Sequence, residues 1–390
     1  MKILVVMGTR PEAIKLAPVI RKLQSYPAQA EVSVCSTGQH RQMLDQVLRL
    51  FQIEPETDLE LMRENQTPSQ VAAGVLSALD PLLASQRPDW MLVQGDTTTV
   101  MAATLAAFHR KVRVAHVEAG LRTYDRENPF PEEMNRVVAD HVCDLHFAPT
   151  AQARANLLAE GIQERSIFVT GNTVIDALLW AAEQPLSETA RQELAENQLL
   201  DRVQGDDRRL ILVTAHRREN QGEPIRQICQ ALRQLAQTRP EYHLVYPVHR
   251  NPNIWEPVHE LLGDIPGITL TPPVGYLTLI QLMKRSALIL TDSGGIQEEA
   301  PSLGVPVLVL RKTTERPEAV EAGAVRLVGA ETESIIQEVD RLLDDKLAYR
   351  RMSQAINPYG DGLASQRIVD VLLTGGCDEF KTGESPAIPA

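Results

Sequence analysis

Short apolar runs alternate along the chain with longer amphipathic stretches, and this alternation predicts an α/β fold. The apolar runs of the first half are rich in β-branched residues and end in Gly or a polar residue, as buried strands of parallel sheets do. These runs are KILVVMG, EVSVCSTG, WMLVQGD, RVAHVEAG and HFAPT. Stretches such as PEAIKLAPVIRKLQ and TTTVMAATLAAFHR lie between them and have helical periodicity.

The alternation weakens after residue 180, where the polar segment SETARQELAENQLLDRVQGDDRR predicts a surface helix and a loop. It then restarts with a second set of strand-like runs. These are RLILVTAH, HLVYPVH, ITLTPPV, ALILTDS, VPVLVLR and AVRLVG. The repeated pattern predicts two Rossmann-like, doubly wound domains that face each other across a cleft.

We place the domain boundaries at composition changes along the chain. The N-terminal domain is predicted to span residues 1–172 and the C-terminal domain residues 173–365, with the segment 168–180 as the connection. Residues 366–375 are predicted to end a helix that packs back on the N-terminal domain. The polar tail 376–390 is predicted to be disordered.

Length and charge limit the classes of function. The chain has 390 residues, 43% of them hydrophobic, which suits two domains better than one core. A formal net charge of −12 argues against broad binding of nucleic acid or anionic membranes. The four cysteines are scattered without a CxxC pair, and no apolar run reaches the ~20 residues that span a bilayer. We therefore expect a cytoplasmic protein with no structural zinc.

The first strand leads into GTRPEAIK, residues 8–15, where Arg10 and Lys15 stand near a predicted helix N-terminus. Backbone N–H groups at such a terminus attract anions, so this segment is a candidate anion contact. The alternative interpretation is a capped helix with two solvated bases. Neither dinucleotide fingerprint, GxGxxG or GxxxxGK[ST], is present here.

Three carboxylates stand at consecutive element junctions of the first domain. Asp96 ends WMLVQGD, Glu118 ends the RVAHV strand, and Glu132 opens the helix after PFP. Each has a structural alternative, as a helix N-cap or as a first-turn acid that favours the helix dipole. Together they favour a pair of acids held at different pKa values, which can perform general acid and general base steps.

The second domain places bases at strand ends. His216 and Arg217 follow one strand, His249 follows another, and Arg316 precedes a helix start in TTERPEA. A histidine there can donate to a phosphate or polarise a leaving group, and the alternative is a surface loop.

The segment TDSGGIQEEAPSLG follows an apolar run and places two glycines at a helix start. Ser293, Gly294 and Gly295 can present backbone N–H groups to phosphate oxygens. Glu299 lies about one turn further on, where a carboxylate can accept both hydroxyls of a ribose. We interpret Glu298 as a surface acid that compensates the helix dipole. The segment therefore predicts a nucleoside-diphosphate site.

An ordered set of motifs resembles the non-hydrolysing UDP-N-acetylglucosamine 2-epimerases of bacteria, from about residue 2 to about residue 372. The motifs are GTRPEAIK, QHRQMLDQVL, GDTTT, HVEAGLRT, PEEMNR, GNTVIDAL, HRREN, YPVH, TDSGGIQEEAPSLG, TTERPEA and NPYGDG. The resemblance implies a two-domain architecture of the GT-B type, a homodimer, and no nicotinamide or metal. It also implies interconversion of UDP-N-acetylglucosamine and UDP-N-acetylmannosamine, through elimination of UDP to a 2-acetamidoglucal and re-addition.

The resemblance also implies roles for individual residues. The acid/base group is Asp96, Glu118 and Glu132, with His216 stabilising the departing diphosphate. The nucleotide-sugar contacts are Arg10, Lys15, Ser293, Gly294, Gly295, Glu299 and Arg316, with uracil near TPPVGYLTL. A second molecule of UDP-N-acetylglucosamine would act as an activator, with candidate contacts at Gln39, Gln42, Arg217 and His249.

Four other functions stay open at this point. A GT-B glycosyltransferase would share the diphosphate features but needs an acceptor site. A hydrolysing epimerase would release free N-acetylmannosamine. An epimerase of a UDP-2,3-diacetamido uronic acid would need a further base near C6, and a non-catalytic sensor would not need Asp96 and Glu118. The expected product of the favoured function supplies surface polysaccharide synthesis.

Overall fold

A computed structural model describes residues 1–38, 41–63, 65–204 and 209–381. The chain divides into two compact units. Unit 1 comprises Met1–Ala177 together with the segment from Tyr359 onward, and unit 2 comprises Leu178–Pro358. The first division therefore falls after residue 177 rather than 172, and residues 359–365 belong to unit 1 rather than to the second domain.

Unit 1 is built on a parallel sheet whose strands match the apolar runs of the first half. The strands are β1 Lys2–Met7, β2 Glu31–Ser36, β3 Thr57–Asp58, β4 Trp90–Gln94, β5 Arg113–Val117, β6 Leu145–Ala148 and β7 Ile167–Val169. The helices are α1 Arg10–Gln24, α2 Arg41–Phe51, α3 Pro68–Gln86, α4 Thr98–His109, α5 Glu132–Val142 and α6 Ala151–Ala159. The next helix, α7 Thr173–Glu183, begins in unit 1 and continues into unit 2. Within the described residues the strand order is β3-β2-β1-β4-β5-β6-β7, so the winding direction reverses between β1 and β4.

Unit 2 repeats the architecture with a second parallel sheet. Its strands are β8 Arg209–Thr214, β9 Tyr242–Pro247, β10 Ile268–Thr271, β11 Leu288–Thr291, β12 Val307–Val309 and β13 Val325–Leu327. Its helices are α8 Glu188–Glu196, α9 Leu200–Gln204, α10 Glu223–Thr238, α11 Pro252–Leu262, α12 Tyr276–Arg285, α13 Gly294–Glu299, α14 Pro317–Glu321, α15 Thr332–Asp344 and α16 Lys346–Ser353. The order β10-β9-β8-β11-β12-β13 reverses between β8 and β11.

Both sheets are wholly parallel in the described residues, which confirms the predicted α/β, doubly wound fold class. The central strands are mostly apolar because helices cover both faces, and the β4 residues Met91, Leu92 and Val93 are fully buried. Ligands of such sheets bind beyond the carboxyl ends of the strands, at the reversal point. No helix in the described part of the chain is long and apolar enough to cross a membrane.

Three local expectations were incomplete. The sequence pattern missed β3 and β7, because two and three residues are too few for an apolar period to show. β7 lies in the segment 168–180 that was predicted as a connection. The polar stretch after residue 180 forms two helices, α8 and α9, instead of one.

The C-terminal helix α17, Ala364–Thr374, belongs to unit 1, where it contacts α1. Its first turn is held by the buried carboxylate of Asp176, which accepts from the backbone N–H of Ala364 at 3.2 Å and of Ser365 at 2.7 Å. This carboxylate takes the place of an N-cap side chain. The part of the predicted tail at 382–390 lies outside the described residues.

Residues 376–381 pack against unit 1, contrary to the prediction of a disordered tail. The Phe380 side chain is buried, and its backbone N–H donates to the Val169 carbonyl at 2.8 Å. Glu379 accepts from Arg154 at 2.8 Å. One aromatic residue and one ion pair therefore anchor a segment whose composition is otherwise typical of disorder.

The turn after β5 requires glycine at one position. Gly120 has a φ of +83°, and a Cβ built on it would lie 2.3 Å from the Ala153 carbonyl oxygen of α6. Gly161, just after α6, has nearly the same φ, +84°, but no atom within 4 Å of such a Cβ. A substitution at either glycine would strain the backbone to a similar degree, but only one at Gly120 would also cause steric overlap.

We expect Gly120→Ala to lower the free energy of unfolding by about 1–3 kcal/mol more than Gly161→Ala, because only the first substitution forces a Cβ into packed backbone. Denaturant unfolding of the two variants and the wild-type protein measures the difference. Equal losses for the two variants would contradict the packing argument.

Candidate active site

Glu118 stands at the end of β5 with an unusual backbone conformation. Its φ is +65°, which is uncommon and costly for a residue with a Cβ, so the surrounding contacts must hold it in place. The carboxylate accepts from Lys15 Nζ at 2.6 and 2.7 Å, from Asn172 Nδ2 at 3.0 Å, and from Gln94 Nε2. With 6% of its side chain exposed, Glu118 is a nearly buried carboxylate whose direction is fixed by donors from three elements.

Asp96 is held separately from Glu118. Its carboxylate accepts from Arg136 of α5, and its backbone carbonyl accepts from Asn135 Nδ2 at 3.0 Å. The structural alternative, a role as N-cap of α4, is wrong, because the cap is Thr97, whose side chain accepts from the Val100 N–H at 3.2 Å. The Asp96 side chain is one-third exposed and keeps a solvent-facing surface.

The two acids at the start of α5 have different surroundings. Glu133 is buried, and its carboxylate accepts from the backbone N–H of Thr123 at 3.1 Å and of Tyr124 at 2.9 Å, and from Arg136 at 3.3 Å. Glu132 is half-buried, and no hydrogen bond to its carboxylate is found within the described part of the chain. Glu133 therefore holds the preceding loop, whereas Glu132 is left available for chemistry.

The segment 8–15 differs in one respect from its predicted anion site. The buried carboxylate of Glu12 accepts from the N–H groups of Gly8 and Thr9 at 2.5 and 2.8 Å, and from Thr97 Oγ1 at 2.5 Å. The pKa of Glu12 is raised by burial, which outweighs these hydrogen bonds. Those N–H groups are therefore engaged by a carboxylate, and the predicted contact Arg10 is the first residue of α1.

A buried charged network lies behind the strand end, and the sequence analysis missed it. His116 Nδ1 lies 2.6 Å from Asp140 Oδ1, and its Nε2 lies 2.7 Å from the Gly95 carbonyl oxygen. Burial lowers the pKa of His116, but the charge and hydrogen bond of Asp140 outweigh it, so the pKa is raised. Burial raises the pKa of Asp140, yet His116 and Arg122 bring it down to about 2. Two acceptors on one ring favour the imidazolium form.

In unit 2, Asp292 follows β11 and its carboxylate binds the turn after β8, at the point where the winding direction reverses. One carboxylate oxygen, Oδ2, accepts from the backbone N–H groups of His216 and Arg217, both at 2.8 Å, and from Asn220 Nδ2 at 2.9 Å. The Asp292 side chain is fully buried. The turn that carries His216 is therefore fastened to the strand beside it by a single carboxylate.

The two predicted histidines of unit 2 stack on one another. The rings of His216 and His249 lie 5.5 Å apart, centroid to centroid, with 18° between their planes. His249 Nδ1 lies 3.1 Å from the Asn251 N–H and accepts from it. Burial lowers the pKa of His216, and His249 and Arg217 lower it further, against the opposing charge of Asp292.

Two guanidinium groups converge on Gly294. A Cβ at this position would lie 3.5 Å from Arg217 Nη2 and 3.7 Å from Arg316 Nη2. Glycine here therefore leaves room between the backbone and both cations. The Ser293 N–H donates to Thr291 Oγ1 at 2.9 Å, so Ser293 offers its hydroxyl rather than its N–H.

The interpretation of Glu298 as a surface acid is wrong. Its side chain is 4% exposed and accepts from Arg316 Nε. The carboxylate thereby compensates and orients a guanidinium that reaches Gly294, which explains a negative charge beside an anion site. Glu299 is half-buried, and its Oε1 would lie 3.5 Å from a Cβ at Gly295.

Two of the predicted activator contacts adjoin the predicted substrate contacts. Arg217 lies beside Gly294, and His249 stacks on His216. Gln39 lies outside the described residues, and the side chain of Gln42 is likewise not described.

The TPPVGYLTL segment is fastened by a residue that sequence spacing could not reveal. Glu193 of α8 accepts from the Gly275 N–H at 3.0 Å and from Thr278 Oγ1. Its carboxylate thus caps α12 from a position 82 residues upstream of Gly275.

The two units offer different chemistry. Unit 1 gathers carboxylates with fixed partners, suited to proton transfer, and unit 2 gathers two guanidinium groups and a histidine pair, suited to an anion. In the ranges that the structure describes, no group of three or more His, Cys, Asp or Glu side chains could hold a metal ion.

Comparison with known proteins identifies the family to which the chain is similar. The family model described as UDP-N-acetylglucosamine 2-epimerase matches residues 21–373. A protein of Escherichia coli O157:H7 named UDP-N-acetylglucosamine 2-epimerase is 53% identical over 374 residues, which cover 95% of this chain and 98% of the relative.

Two similar solved structures contain nucleotide ligands. The UDP-N-acetylglucosamine 2-epimerase of Neisseria meningitidis, bound to UDP-N-acetylglucosamine, is 47% identical with a TM-score of 0.83, covering 96% of this chain and all of the other. That of Methanocaldococcus jannaschii, in complex with UDP-N-acetylglucosamine and UDP, is 36% identical with a TM-score of 0.75, covering 95% and 99%.

We expect His116→Gln to lower the free energy of unfolding by about 1.5–3 kcal/mol at pH 6, because it removes one of the two buried cations that pair with Asp140 and leaves Arg122, at 2.8 Å, as the other. The pKa of His116 is raised on folding, so its stabilising effect is fully present below about pH 6.5 and is lost as the pH rises through the raised value. Denaturant unfolding from pH 6 to pH 9 should therefore show a shrinking difference from wild type. His141→Gln, at an exposed site on α5, is the control, and a constant His116→Gln deficit would contradict the charge assignment.

Proposed function

The chain belongs to the UDP-N-acetylglucosamine 2-epimerase family of enzymes, and from this premise we propose that it interconverts UDP-N-acetylglucosamine and UDP-N-acetylmannosamine. The observation that carries the proposal is Glu118, a nearly buried carboxylate at a strand end, with a φ of +65° and its oxygens held by Lys15. Such a group is fixed in direction, and it follows directly after a strand of a parallel sheet, where ligands of such sheets bind.

The reaction that this proposal assigns begins with an elimination. A base removes the proton from C2 of the sugar, and the C2–H electron pair forms a C1–C2 double bond. The bond between C1 and the diphosphate oxygen breaks, and its electron pair leaves with UDP. The products are 2-acetamidoglucal and UDP, and re-addition of UDP with delivery of a proton to the opposite face of C2 completes the inversion.

Unit 1 would supply the acid and the base. Glu118 and Asp96 are held by Lys15 and Arg136 respectively, and Glu132 is half-buried at the start of α5. Two different carboxylates on two faces can remove one proton and return another, which a single residue facing one side of the ring does less readily. The proposal assigns these roles to the group and leaves the order between its members open.

Unit 2 would hold the diphosphate. Charge develops on UDP as the C1–O bond breaks, and fixed cations and N–H dipoles stabilise that charge most effectively. Arg316 is oriented by Glu298, and Arg217 lies equally close to Gly294. We therefore assign Arg217 to the substrate diphosphate in addition to its predicted contact with an activator, and Glu299 to the ribose.

The product would supply N-acetylmannosamine units for surface polysaccharide, and the enzyme would act as a homodimer activated by its own substrate. Activation requires a measurable coupling free energy between two sites. The place of Arg217 and His249 beside the substrate residues supports a route for that coupling.

We expect the purified protein with UDP-N-acetylglucosamine in heavy water to place deuterium at C2 and to form a manno signal in proton NMR, without added cofactor. Glu118→Gln should reduce the rate by at least about 10²-fold, since it removes the carboxylate but keeps the side-chain shape. UDP release that requires an acceptor would favour a glycosyltransferase, and free N-acetylmannosamine a hydrolysing enzyme. No exchange by a folded protein that binds UDP would favour a uronic-acid substrate.

We expect Glu298→Gln to raise the Kd for UDP about tenfold, because Arg316 loses a charge-assisted hydrogen bond but keeps a neutral acceptor. Glu321→Gln, at an exposed position at the end of α14, is the matched control. Titration calorimetry with UDP measures both variants. An unchanged Kd for Glu298→Gln would contradict the orienting role of this carboxylate.

A further inference from the structure

The Asp292 carboxylate uses only one of its two oxygens. Oδ2 accepts three hydrogen bonds from the turn that carries His216, whereas Oδ1 is buried and has no hydrogen-bond partner among the described residues. A buried carboxylate oxygen without a partner is costly, so it calls for an explanation. The nearest ring nitrogen is His216 Nδ1, at 3.6 Å.

The distance of 3.6 Å is too long for a hydrogen bond but short enough for electrostatic attraction. The His216 backbone N–H is fixed to the same carboxylate at 2.8 Å, so a small rotation of the ring suffices to close the gap. The exposed fraction of the His216 side chain is 39%, which leaves room for a ligand to approach Nε2, the ring nitrogen remote from Asp292.

The charged and titratable groups around His216 come from three elements. Asp292 follows β11, His249 follows β9 and stacks on the ring, and Arg217 is the next residue of its own turn. His249 accepts a backbone hydrogen bond at Nδ1 and needs no proton there. Asp292 is the group in this set that can accept a hydrogen bond from the Nδ1–H of His216.

We propose that Asp292 is a positioning residue that holds His216 with its Nδ1–H toward Oδ1 and so leaves Nε2 for the leaving diphosphate. This inference deepens the proposed function and rests on it for the identity of the ligand. A carboxylate behind an imidazole selects the tautomer and stabilises the imidazolium that forms in front of it. His216 is the catalytic residue, and Asp292 acts through it.

The arrangement couples proton uptake to binding of the diphosphate. Burial, His249 and Arg217 all lower the pKa of His216, so the ring is neutral at pH 7. A diphosphate adds negative charge at Nε2, which favours the imidazolium, and the proton comes from solvent. During elimination Nε2–H then donates to the oxygen on which the C1–O electron pair arrives.

The test uses the tautomer of His216, which does not depend on turnover. Protonated and unprotonated ring nitrogens have well-separated ¹⁵N shifts, and His216→Gln identifies the signal in the full-length, ¹⁵N-histidine-labelled protein. We expect Nδ1–H in the protein without nucleotide and both nitrogens protonated after addition of UDP. Calorimetry of UDP binding in buffers of different ionisation enthalpy should show proton uptake.

Asp292→Asn is the matched variant, because its amide oxygen can keep the three donors at Oδ2 while its NH₂ group faces the ring. We expect the tautomer to invert to Nε2–H, the proton uptake to disappear, and kcat to fall on the order of 10²–10⁴-fold. Tyr246→Phe is the structural control, because it removes a 2.6 Å hydrogen bond to the Ala215 carbonyl of the same turn and leaves Asp292 intact.

The outcomes separate the two hypotheses. An unprotonated Nδ1 in the wild-type protein would overturn the inference, as would an unchanged tautomer and pH profile in a folded Asp292→Asn variant. If Asp292→Asn does not fold, the His216 tautomer of the wild-type protein and its proton uptake on UDP binding still test the inference. If the tautomer and proton uptake are found but no C2 exchange occurs in heavy water, the inference stands and the proposed reaction fails.

Discussion

Parallel strands that end at one edge of a sheet leave backbone N–H groups in the turns that follow, and both units satisfy them with a buried carboxylate. Glu12 accepts from the turn after β1 and from Thr97, which follows β4. Asp292 accepts from the turn after β8 while it follows β11. In each unit the carboxylate thus links the ends of the two strands between which the winding direction reverses. By fixing the backbone of the turn, it also fixes where the side chains of that turn lie.

The functional side chains are held by a second set of charge pairs. Lys15 is paired with Glu118, Arg136 with Asp96, and Arg316 with Glu298. Charge-assisted hydrogen bonds of this kind fix a side chain more firmly than neutral ones, at the cost of removing both charges from water. Their benefit here is direction, because a proton-transfer group or a phosphate clamp that is misplaced by 1 Å loses most of its effect.

The sequence was sufficient to predict the strands that are long and apolar, and to locate polar residues at their ends as candidates for chemistry. It was insufficient where a role depends on a partner far along the chain. Glu298 was misread because Arg316, 18 residues later, makes it a buried ion-pair partner, and Glu193 was missed because it caps a helix 82 residues away. Asp292 carried a weak signal, a carboxylate directly after an apolar run, but only the strand order β8-β11 explains what it contacts.

The distribution of compensated and uncompensated charge shows how an acidic chain can receive a diphosphate. The net charge is −12, yet the two guanidinium groups at Gly294 are not equivalent. Arg316 has a buried carboxylate on its Nε, so its charge is largely balanced before any ligand arrives. No ion pair of Arg217 is found in the described parts of the chain, although its charge contributes to lowering the pKa of Glu315. Burial lowers the pKa of the nearby His216 and so favours its neutral form. A diphosphate would therefore meet the oriented guanidinium of Arg316, the guanidinium of Arg217, and an imidazole that gains its proton when the diphosphate binds. Under the proposed function, such a site would bind the anion without a permanent excess of positive charge, and its hold would strengthen as the bond to the sugar breaks.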